Sequence, residues 1–244
     1  MIVVGKSPNA KSMAKAVFNW ADEELIESKD IIVVVGGDGY LLGSASKHGL
    51  DKTYIPINGG HLGFLMNEST DIKDGIRYQE WTVQGFHTLE AQFGSGKTDF
   101  AINDVYIERA SGQTARISVA VDGASLVQKM VADGVIVATP LGSTGYNFSA
   151  GGPVIHPLNK NMVVTPNNAH HPNFRSVVLP GTTEVIIRAE DTKYRPVRVV
   201  TDGRVHDGET VVRVVFGEQT LKLGYFAGHN FTRRLVEKIL NRRN

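Results

Sequence analysis

The pattern of hydrophobic and polar positions changes along the chain. In the first third, short apolar runs alternate with amphipathic stretches, and Ile31–Val35 is apolar at every position. A strand that is apolar throughout is typical of a parallel sheet that is covered on both faces, because parallel strands need crossover connections. We predict strands at Ile2–Gly5, Ile31–Val35 and Tyr54–Ile57 and helices at Ala10–Glu27 and Gly39–Lys47.

From about Trp81 onward the pattern is that of short strands with little helical periodicity. Turn-forming pairs separate them, namely Asp122-Gly123, Pro180-Gly181, Asp202-Gly203 and Asp207-Gly208. This pattern predicts an antiparallel β domain. Its expected strands are Thr88–Phe93, Phe100–Glu108, Arg116–Val121, Val135–Thr139, Val177–Leu179, Glu184–Arg188, Val197–Thr201 and Thr210–Phe216.

The fold class that follows is α/β plus all-β. We predict an N-terminal parallel α/β domain over residues 1–85 and a C-terminal antiparallel, β-sandwich-like domain over residues 86–227. The last helical stretch, Phe231–Leu240, is rich in Arg and Lys. We expect residues 228–244 to return to the N-terminal domain.

Composition and charge exclude several classes of function. Lys and Arg number 26 against 25 Asp and Glu, so no electrostatic attraction to a nucleic acid or a membrane surface is expected. The chain has no Cys, which excludes a disulfide framework, a thiolate nucleophile and a Cys-type zinc site. The first residues read as a buried strand, with no targeting signal, and no apolar run approaches the roughly 20 residues of a membrane helix. We expect a soluble, cytoplasmic protein.

Two segments resemble functional motifs without meeting their requirements. Gly94–Thr98 ends like a P-loop, but Ala91 stands where that motif needs Gly, and a strand follows instead of a helix. We interpret it as a hairpin turn. His170 and His171 are adjacent, so they point apart on an extended chain, and we interpret them as an exposed loop pair rather than metal ligands.

The strongest motif of the first domain is Gly36-Gly37-Asp38-Gly39, which follows the Ile31–Val35 strand and opens a helix. Ligands of parallel α/β sheets bind at the carboxyl ends of strands, and glycines there let backbone N–H groups approach phosphate oxygens. A carboxylate beside phosphates is repulsive unless it has a function, so Asp38 is a candidate general base or Mg²⁺ ligand. The alternative is a tight turn in which Asp38 caps the helix.

A second glycine-rich segment, Asn58–Leu65, follows the next strand at the same edge of the sheet. Two such loops from neighbouring strands predict one shared crevice in a nucleotide-binding domain. The candidate phosphate-binding residues are Gly36, Gly37, Gly39, Asn58, Gly60 and Gly63.

Two segments of the second domain are too polar for a small β core. Asp133–Pro153 contains hydroxyls, an amide and the aromatic ring of Tyr146, which suit ribose, phosphate and a stacked base or pyridine ring. Asn103 and Asp104 are adjacent polar residues in an apolar strand, where alternation expects only one to face outward. A sugar diol would suit that pair.

These four motifs, in this order, resemble the NAD kinase family over essentially the whole chain. The Thr-Pro-x-Gly-Ser-Thr-x-Tyr element is the specific one, whereas GGDG also occurs in diacylglycerol, sphingosine and 6-phosphofructokinase relatives. The resemblance implies ATP-dependent phosphorylation of the 2′-hydroxyl of the adenosine ribose of NAD to give NADP. It also implies Mg²⁺ held mainly by the ATP phosphates, and a homodimer or homotetramer.

The resemblance also assigns roles. Asp38 matches the general base, Gly39 its neighbour against NAD, and Asn103 with Asp104 the pair that holds a ribose. The loop that wraps the dinucleotide is matched by Asp133, Thr144, Gly145, Tyr146, Asn147, Phe148 and Ser149. Arg116 and Arg204 are weaker candidate NAD-binding residues, and for each a solvated strand charge is the favoured alternative.

Some residues depart from the family pattern. Asp104 stands where Glu is usual and is shorter by one methylene, Leu141 replaces Thr or Ser, Gly145 replaces Ala, and Tyr40 follows GGDG in place of Thr or Asn. Two other functions stay open. One is a lipid kinase of the diacylglycerol or sphingosine type, and the other is a protein that senses NAD or NADP without turnover.

Overall fold

The computed structural model describes residues 1–59, 63–67, 72–170 and 172–241. The chain forms two compact units, Met1–Phe86 with Gln219–Asn244, and His87–Glu218. The chain returns from the second unit to the first at Gln219, which is earlier than the predicted residue 228. The reason is that the last strand, predicted to end at Phe216, continues to Tyr225 and contributes residues to both units.

The first unit contains a parallel sheet with helices between its strands. Its central strands are almost fully buried, and the register pairs Val3 with Val34 and Val33 with Ile55. The predicted parallel α/β arrangement is therefore confirmed. Its elements are β1 (Ile2–Val4), α1 (Pro8–Trp20), α2 (Glu23–Glu27), β2 (Ile31–Gly36), α3 (Asp38–His48), β3 (Thr53–Asn58), α4 (Ile72–Tyr78), the start of β4 (Thr82–Phe93), the end of β15 (Val211–Tyr225) and α6 (Phe231–Asn241).

The single helix predicted at Ala10–Glu27 is wrong, because the chain forms two helices there. α1 begins after Ser7, whose hydroxyl accepts a hydrogen bond from the Ala10 N–H at 3.1 Å. After Trp20 the Asp22 carboxylate accepts the Leu25 N–H at 2.8 Å and caps a new helix. Asp competes for backbone N–H groups in this way, which is why it favours caps over helix interiors.

The last helix, α6, lies in the first unit. The Phe231 ring meets the rings of Phe86 and Tyr225 edge to face, with centroids 5.6 and 5.0 Å apart. Arg234 is 6% exposed and is therefore almost completely covered. These contacts join the helix to residues of the same unit.

The second unit is an antiparallel β structure built from two sheets. One has the order β11-β10-β9-β6-β13-β14, and the other joins β15, β12, β7 and β8, with the β4–β5 hairpin. Side chains from both sheets share one core, for example Val105, Val137, Ile117 and Ile187, which confirms the sandwich-like prediction. Its further elements are β5 (Thr98–Ala101), β6 (Asp104–Arg109), β7 (Ala115–Val121), β8 (Ala124–Ala132), β9 (Gly134–Ala138), a 3-10 turn (Gly142–Thr144), α5 (Tyr146–Ser149), β10 (Asn161–Asn167), β11 (Val177–Pro180), β12 (Val185–Glu190), β13 (Val197–Thr201) and β14 (Arg204–His206).

The hairpin-turn interpretation of Gly94–Thr98 is confirmed. The Phe93 N–H donates to the Lys97 carbonyl at 2.9 Å, and Gly96 has a φ of +85°, a conformation that favours glycine. The strands on either side, β4 and β5, pair antiparallel.

One predicted strand, Phe100–Glu108, is wrong as a single element. It divides into β5 and β6, and Ile102 and Asn103 lie between them. The N–H groups of both residues donate to the carboxylate of Asp202 instead of to a neighbouring strand. The division therefore places Asn103 in a turn.

Candidate active site

Asp38 is the first residue of α3, and Gly37 alone separates it from the end of the buried strand β2. The helix cap is Gly37, which makes no side-chain cap bond, so the interpretation of Asp38 as a capping residue is wrong. Its carboxylate instead accepts the backbone N–H groups of Phe64 and Leu65, each at 2.9 Å. Two bonds to neighbouring backbone donors orient this carboxylate.

The two glycine-rich segments predicted to share a crevice do come together in the first unit. Besides the bonds to Asp38, a Cβ atom placed on Gly63 would lie 3.3 Å from Oδ1 of Asp38. Asn58 lies at the end of β3, where its N–H donates to the Asn67 carbonyl at 3.1 Å. Gly60, the remaining candidate of this segment, lies outside the described residues.

A pocket of about 320 Å³ opens at the carboxyl ends of β1, β2 and β3. One glycine at the end of each strand contributes to it, and the full lining is Gly5, Lys6, Ser7, Gly36, Gly37, Tyr40 and Gly59. A Cβ on Gly59 would lie 2.8 Å from the Cα of Ala10, so only glycine fits there. Small residues, a lysine and the start of two helices suit a phosphate group.

Lys6 is a lining residue that was not predicted. The available signal was a glycine and a lysine directly after the first strand, because β1 ends at the same sheet edge as the strand before GGDG. That segment was interpreted only as a strand without a targeting signal.

In the second unit, the segment after β9 is fixed against Asn103. The Thr139 N–H donates to the Asn103 carbonyl at 2.9 Å, and the Thr139 hydroxyl donates to the Ile102 carbonyl at 2.7 Å. The same hydroxyl accepts the Gly142 N–H at 3.1 Å. A Cβ on Gly142 would lie 2.5 Å from the carbonyl carbon of Asn103, so a glycine is required by close approach. The structure thus brings together the two polar segments predicted for this unit, Asn103-Asp104 and Asp133–Pro153.

Asp104 is buried at the edge of this arrangement, 7% exposed. Burial, and after it the neighbouring carboxylate of Asp202, raises the pKa of Asp104 to about 7. A Cβ on Gly145 would lie 3.9 Å from Oδ2 of Asp104, which shows that the loop passes beside this carboxylate. The shorter side chain at position 104 therefore still lies beside the predicted loop.

Tyr146 and Asp133 are each held by a polar partner. The Tyr146 hydroxyl accepts a hydrogen bond from the Asn167 amide at 2.8 Å, and its ring meets that of Tyr106 edge to face at 4.9 Å. Burial raises the pKa of Tyr146 above its ordinary value. Asp133 forms an ion pair with Arg109 at 2.6 Å. Arg109 and Asn167 were not predicted as site residues, since one ends an apolar strand and the other lies in a strand that was not predicted.

Asn147 is fully buried and serves the loop itself. Its amide nitrogen donates to the Ser143 and Pro153 carbonyls at 3.0 and 2.9 Å, and its oxygen accepts the Thr165 hydroxyl at 2.6 Å. Through these hydrogen bonds the side chain holds the loop to itself and to Thr165 of β10. If Asn147 contacts a ligand, we expect its backbone rather than its side chain to make the contact.

The other predicted loop residues differ in exposure. Thr144 is 3% exposed, whereas Phe148 is 37% exposed and Ser149 is also on the surface. Arg116 lies on β7, in the other sheet, where its guanidinium pairs with Asp191. The structure thus does not bring Arg116 into the group of residues around Asn103.

The described residues contain no group of three or more His, Asp or Glu side chains that could hold a metal ion. Magnesium in nucleotide enzymes is commonly bound by substrate phosphates with one or two carboxylates and water.

Comparison with known proteins decides the family. Residues 102–223 match the family model described as ATP-NAD kinase C-terminal domain. An NAD kinase of Xanthomonas campestris pv. campestris is 32% identical over 242 residues, which cover 95% of this chain and 93% of that protein. The chain belongs to the NAD kinase family. A second NAD kinase, of Caldicellulosiruptor bescii, is 36% identical over 233 residues, 91% of this chain and 88% of that protein.

A solved structure supports the same conclusion. The NAD kinase from Archaeoglobus fulgidus in complex with ATP superposes with a TM-score of 0.78 and 25% identity, covering 98% of this chain and 97% of that one. Because the family model, the relatives and this structure are all of NAD kinases, the chain is a phosphotransferase of that family and the lipid-kinase alternative is wrong. No helix among the described residues of this kinase is long and apolar enough to cross a membrane.

Proposed function

We propose that this enzyme transfers the γ-phosphoryl group of ATP to the 2′-hydroxyl of the adenosine ribose of NAD, with Asp38 as the general base. The observation that carries the proposal is the fixed Asp38 carboxylate at the end of β2, bound by the N–H groups of Phe64 and Leu65. Each carboxylate oxygen has two lone pairs, so it can accept a backbone N–H and the proton of a hydroxyl together. A general base needs this combination of fixed orientation and acceptor capacity.

The donor phosphates are proposed to bind beside Asp38. Gly36, Gly37, Gly39, Asn58, Gly60 and Gly63 are the proposed phosphate contacts. The glycine-lined pocket with Lys6 supports this assignment, because backbone N–H groups and a lysine ammonium both suit phosphate oxygens. ATP is the donor favoured by the complex of the Archaeoglobus fulgidus relative. Mg²⁺ bound mainly to the phosphates would neutralise charge that develops during transfer.

The dinucleotide is proposed to bind the residues gathered around Asn103. Asn103 and Asp104 would hold ribose hydroxyls, and Tyr146 would offer an aromatic face. The remaining proposed contacts are Gly39, Asp133, Thr144, Gly145, Asn147, Phe148 and Ser149. Arg116 is the weakest of the proposed NAD contacts, because its guanidinium already pairs with Asp191. We further propose a homodimer or homotetramer, as the family resemblance implies.

The transfer itself is a displacement at phosphorus. The 2′-oxygen forms a bond to the γ-phosphorus while the bond from that phosphorus to the β–γ bridging oxygen breaks, and ADP leaves. The proton of the 2′-hydroxyl passes to Asp38. Most of the catalysis is positioning and charge stabilisation, as in other phosphoryl transfers.

The test compares Asp38→Asn with the wild type and with Asp51→Asn. Each protein is incubated with NAD, ATP and Mg²⁺, and NADP is read by an NADP-specific dehydrogenase. We expect kcat of Asp38→Asn to fall by about 10²-fold or more, the usual scale for loss of a general base. Asp51 pairs with Lys52 on the surface of the same unit, so Asp51→Asn should keep wild-type turnover.

Binding must be measured alongside turnover, because the amide introduced by Asp38→Asn offers only one acceptor to the two N–H groups that the Asp38 carboxylate satisfies. The affinity for NAD, measured by calorimetry, should change far less than the roughly 10²-fold expected for kcat. The midpoint of unfolding should stay close to that of the wild type. Full turnover by Asp38→Asn would refute the general-base role. NAD binding by the wild type without NADP formation would support a sensing protein instead.

A further inference from the structure

The turn between β5 and β6 is wrapped around the carboxylate of Asp202. Oδ2 accepts the Ile102 N–H at 2.5 Å, and Oδ1 accepts the N–H groups of Asn103 at 2.8 Å and Asp104 at 3.2 Å. Three successive backbone donors therefore converge on one side chain that lies about a hundred residues later in the chain. This carboxylate determines the path of the backbone that presents Asn103 and Asp104.

Asp202 is itself rigidly held. It lies in the turn between β13 and β14 with a φ of +45°, followed by Gly203 with a φ of +80°. Its own N–H donates to the Asp104 carbonyl at 3.0 Å, so the two residues are linked in both directions. A small movement of this turn would be transmitted directly to Asp104.

Placing the carboxylates of Asp104 and Asp202 near each other costs free energy of folding. The carboxylate of Asp104 is buried and interacts with that of Asp202, which is partly buried, and burial of a charge near a like charge is unfavourable. Burial raises the pKa of Asp202 as well as that of Asp104. Among the described residues, the phenols of Tyr106 and Tyr146 also interact with Asp104, and the guanidinium of Arg204 interacts with Asp202. Because both phenol pKa values are raised, neither phenol carries charge near neutral pH.

We propose that Asp202 is a positioning residue for dinucleotide binding: its carboxylate orients Asn103 and Asp104, and its charge sets the pH range in which Asp104 can accept the hydroxyls of a ribose. This inference rests on the proposed role of Asn103 and Asp104 in binding NAD. An ionised Asp104 can accept hydrogen bonds from both hydroxyls of a ribose, whereas a protonated one loses part of that capacity. Asp202 raises the pH at which that change occurs.

The wild-type enzyme gives the first measurement. KM for NAD should rise as pH falls through about 7, the pKa given to Asp104 by burial and Asp202. One unit below a pKa about a tenth of the carboxyl groups stay ionised, so KM at pH 6 should rise by up to about tenfold over its value at high pH, the full factor applying where only the ionised form binds. KM for ATP, followed in the same assays, should not share this transition.

The second measurement compares Asp202→Asn with Asp122→Asn. Asp122 is a matched control, because it occupies another Asp-Gly turn of the same unit, has a φ of +46° and accepts the Glu184 N–H at 2.8 Å. We expect Asp202→Asn to raise KM for NAD severalfold at pH 8, with kcat and KM for ATP unchanged. Loss of the neighbouring charge should also move the pH transition of KM to lower pH. Asp122→Asn should keep both the KM value and the transition of the wild type.

Several results would overturn the proposal. One is an unchanged KM for NAD in Asp202→Asn, and another is a fall in kcat alone. A wild-type KM for NAD that is flat between pH 6 and 8 would also overturn it, and this needs no variant to fold. NADP formation by the wild type tests the proposed function separately, so failure of the two ideas can be distinguished.

Discussion

Thr139 offers a direct test of how the site of the second unit is held together. Its side chain is fully buried, and its hydroxyl lies between the Ile102 carbonyl at 2.7 Å and the Gly142 N–H at 3.1 Å. Thr139→Val keeps the shape and replaces the hydroxyl by a methyl group. The substitution therefore removes the partner of two backbone groups without creating a large cavity.

The magnitude follows from those two groups. A buried polar group left without its partner costs about 1–3 kcal/mol, so the loss of both partners in Thr139→Val should lower the free energy of unfolding by about 2–6 kcal/mol. Thr139→Ser is the matched control, because it keeps both hydrogen bonds and removes one methyl group. Its loss should be about 1 kcal/mol.

The assay is urea unfolding followed by far-ultraviolet circular dichroism, with KM for NAD measured on the same preparations. Because the chain has two units, the comparison uses the difference between the two variants under identical conditions. Thr139→Val should also raise KM for NAD more than Thr139→Ser, since it loosens the turn that contains Asn103. A Val variant that is as stable as the Ser variant would refute the reasoning.

Two further predictions use the same unit. Gly142→Ala should destabilise the protein by about 1–3 kcal/mol or more and raise KM for NAD, because its Cβ would lie 2.5 Å from the carbonyl carbon of Asn103. Gly112→Ala, at an exposed glycine with open space around it, should change neither quantity in the same unfolding and kinetic assays. The pH dependence of stability tests Asp104, whose pKa is about 7 in the folded protein against an ordinary 3.8. Between these two values the folded protein binds a proton at Asp104 that the unfolded chain has lost. The free energy of unfolding should therefore fall as pH rises from about 4 to about 7. Asp104→Asn should make that fall shallower without abolishing it, since the raised pKa of Asp202 acts in the same direction, and a slope equal to that of the wild type would contradict the burial of Asp104.

The strand and helix order of the first unit could be predicted because each element carries its own signal. The continuous apolar run of β2 and the glycines after it are local features, so the position of Asp38 at a strand end followed from residues 31–39 alone. The break between α1 and α2 was missed although it is also local. There the apolar periodicity continued past Asp22, and the capping tendency of its side chain was not weighed against it.

The break between β5 and β6 could not be predicted from local pattern. It depends on Asp202, which is separated from Ile102 by 100 positions and reaches it only through the pairing of β13 with β6. In the sequence the segment reads as one apolar strand with an anomalous polar pair. That anomaly identified Asn103 and Asp104 as candidates, but nothing in the segment indicated that a distant carboxylate bends the backbone there.

Strand β10 was missed for a different reason. It contains Pro166, and proline in a strand interior normally argues against a strand because it cannot donate to the ladder. β11 pairs with β10 only at residues 161–164, so at Pro166 the strand has a partner on one side, β9. The missing N–H is thus tolerated, and the strand carries Asn167 to the hydroxyl of Tyr146.

The residues around Asn103 divide by what their polar atoms already do. Thr139 and Asn147 are fully buried and their side chains bond to nearby backbone groups, whereas Phe148 and Ser149 are exposed. A substitution at a residue of the first kind must change the backbone before it can change binding, so stability and KM for NAD are coupled there. At an exposed residue the two quantities are independent. A family pattern in the sequence does not separate the two kinds, because it marks a residue that shapes the site and a residue that touches the ligand in the same way.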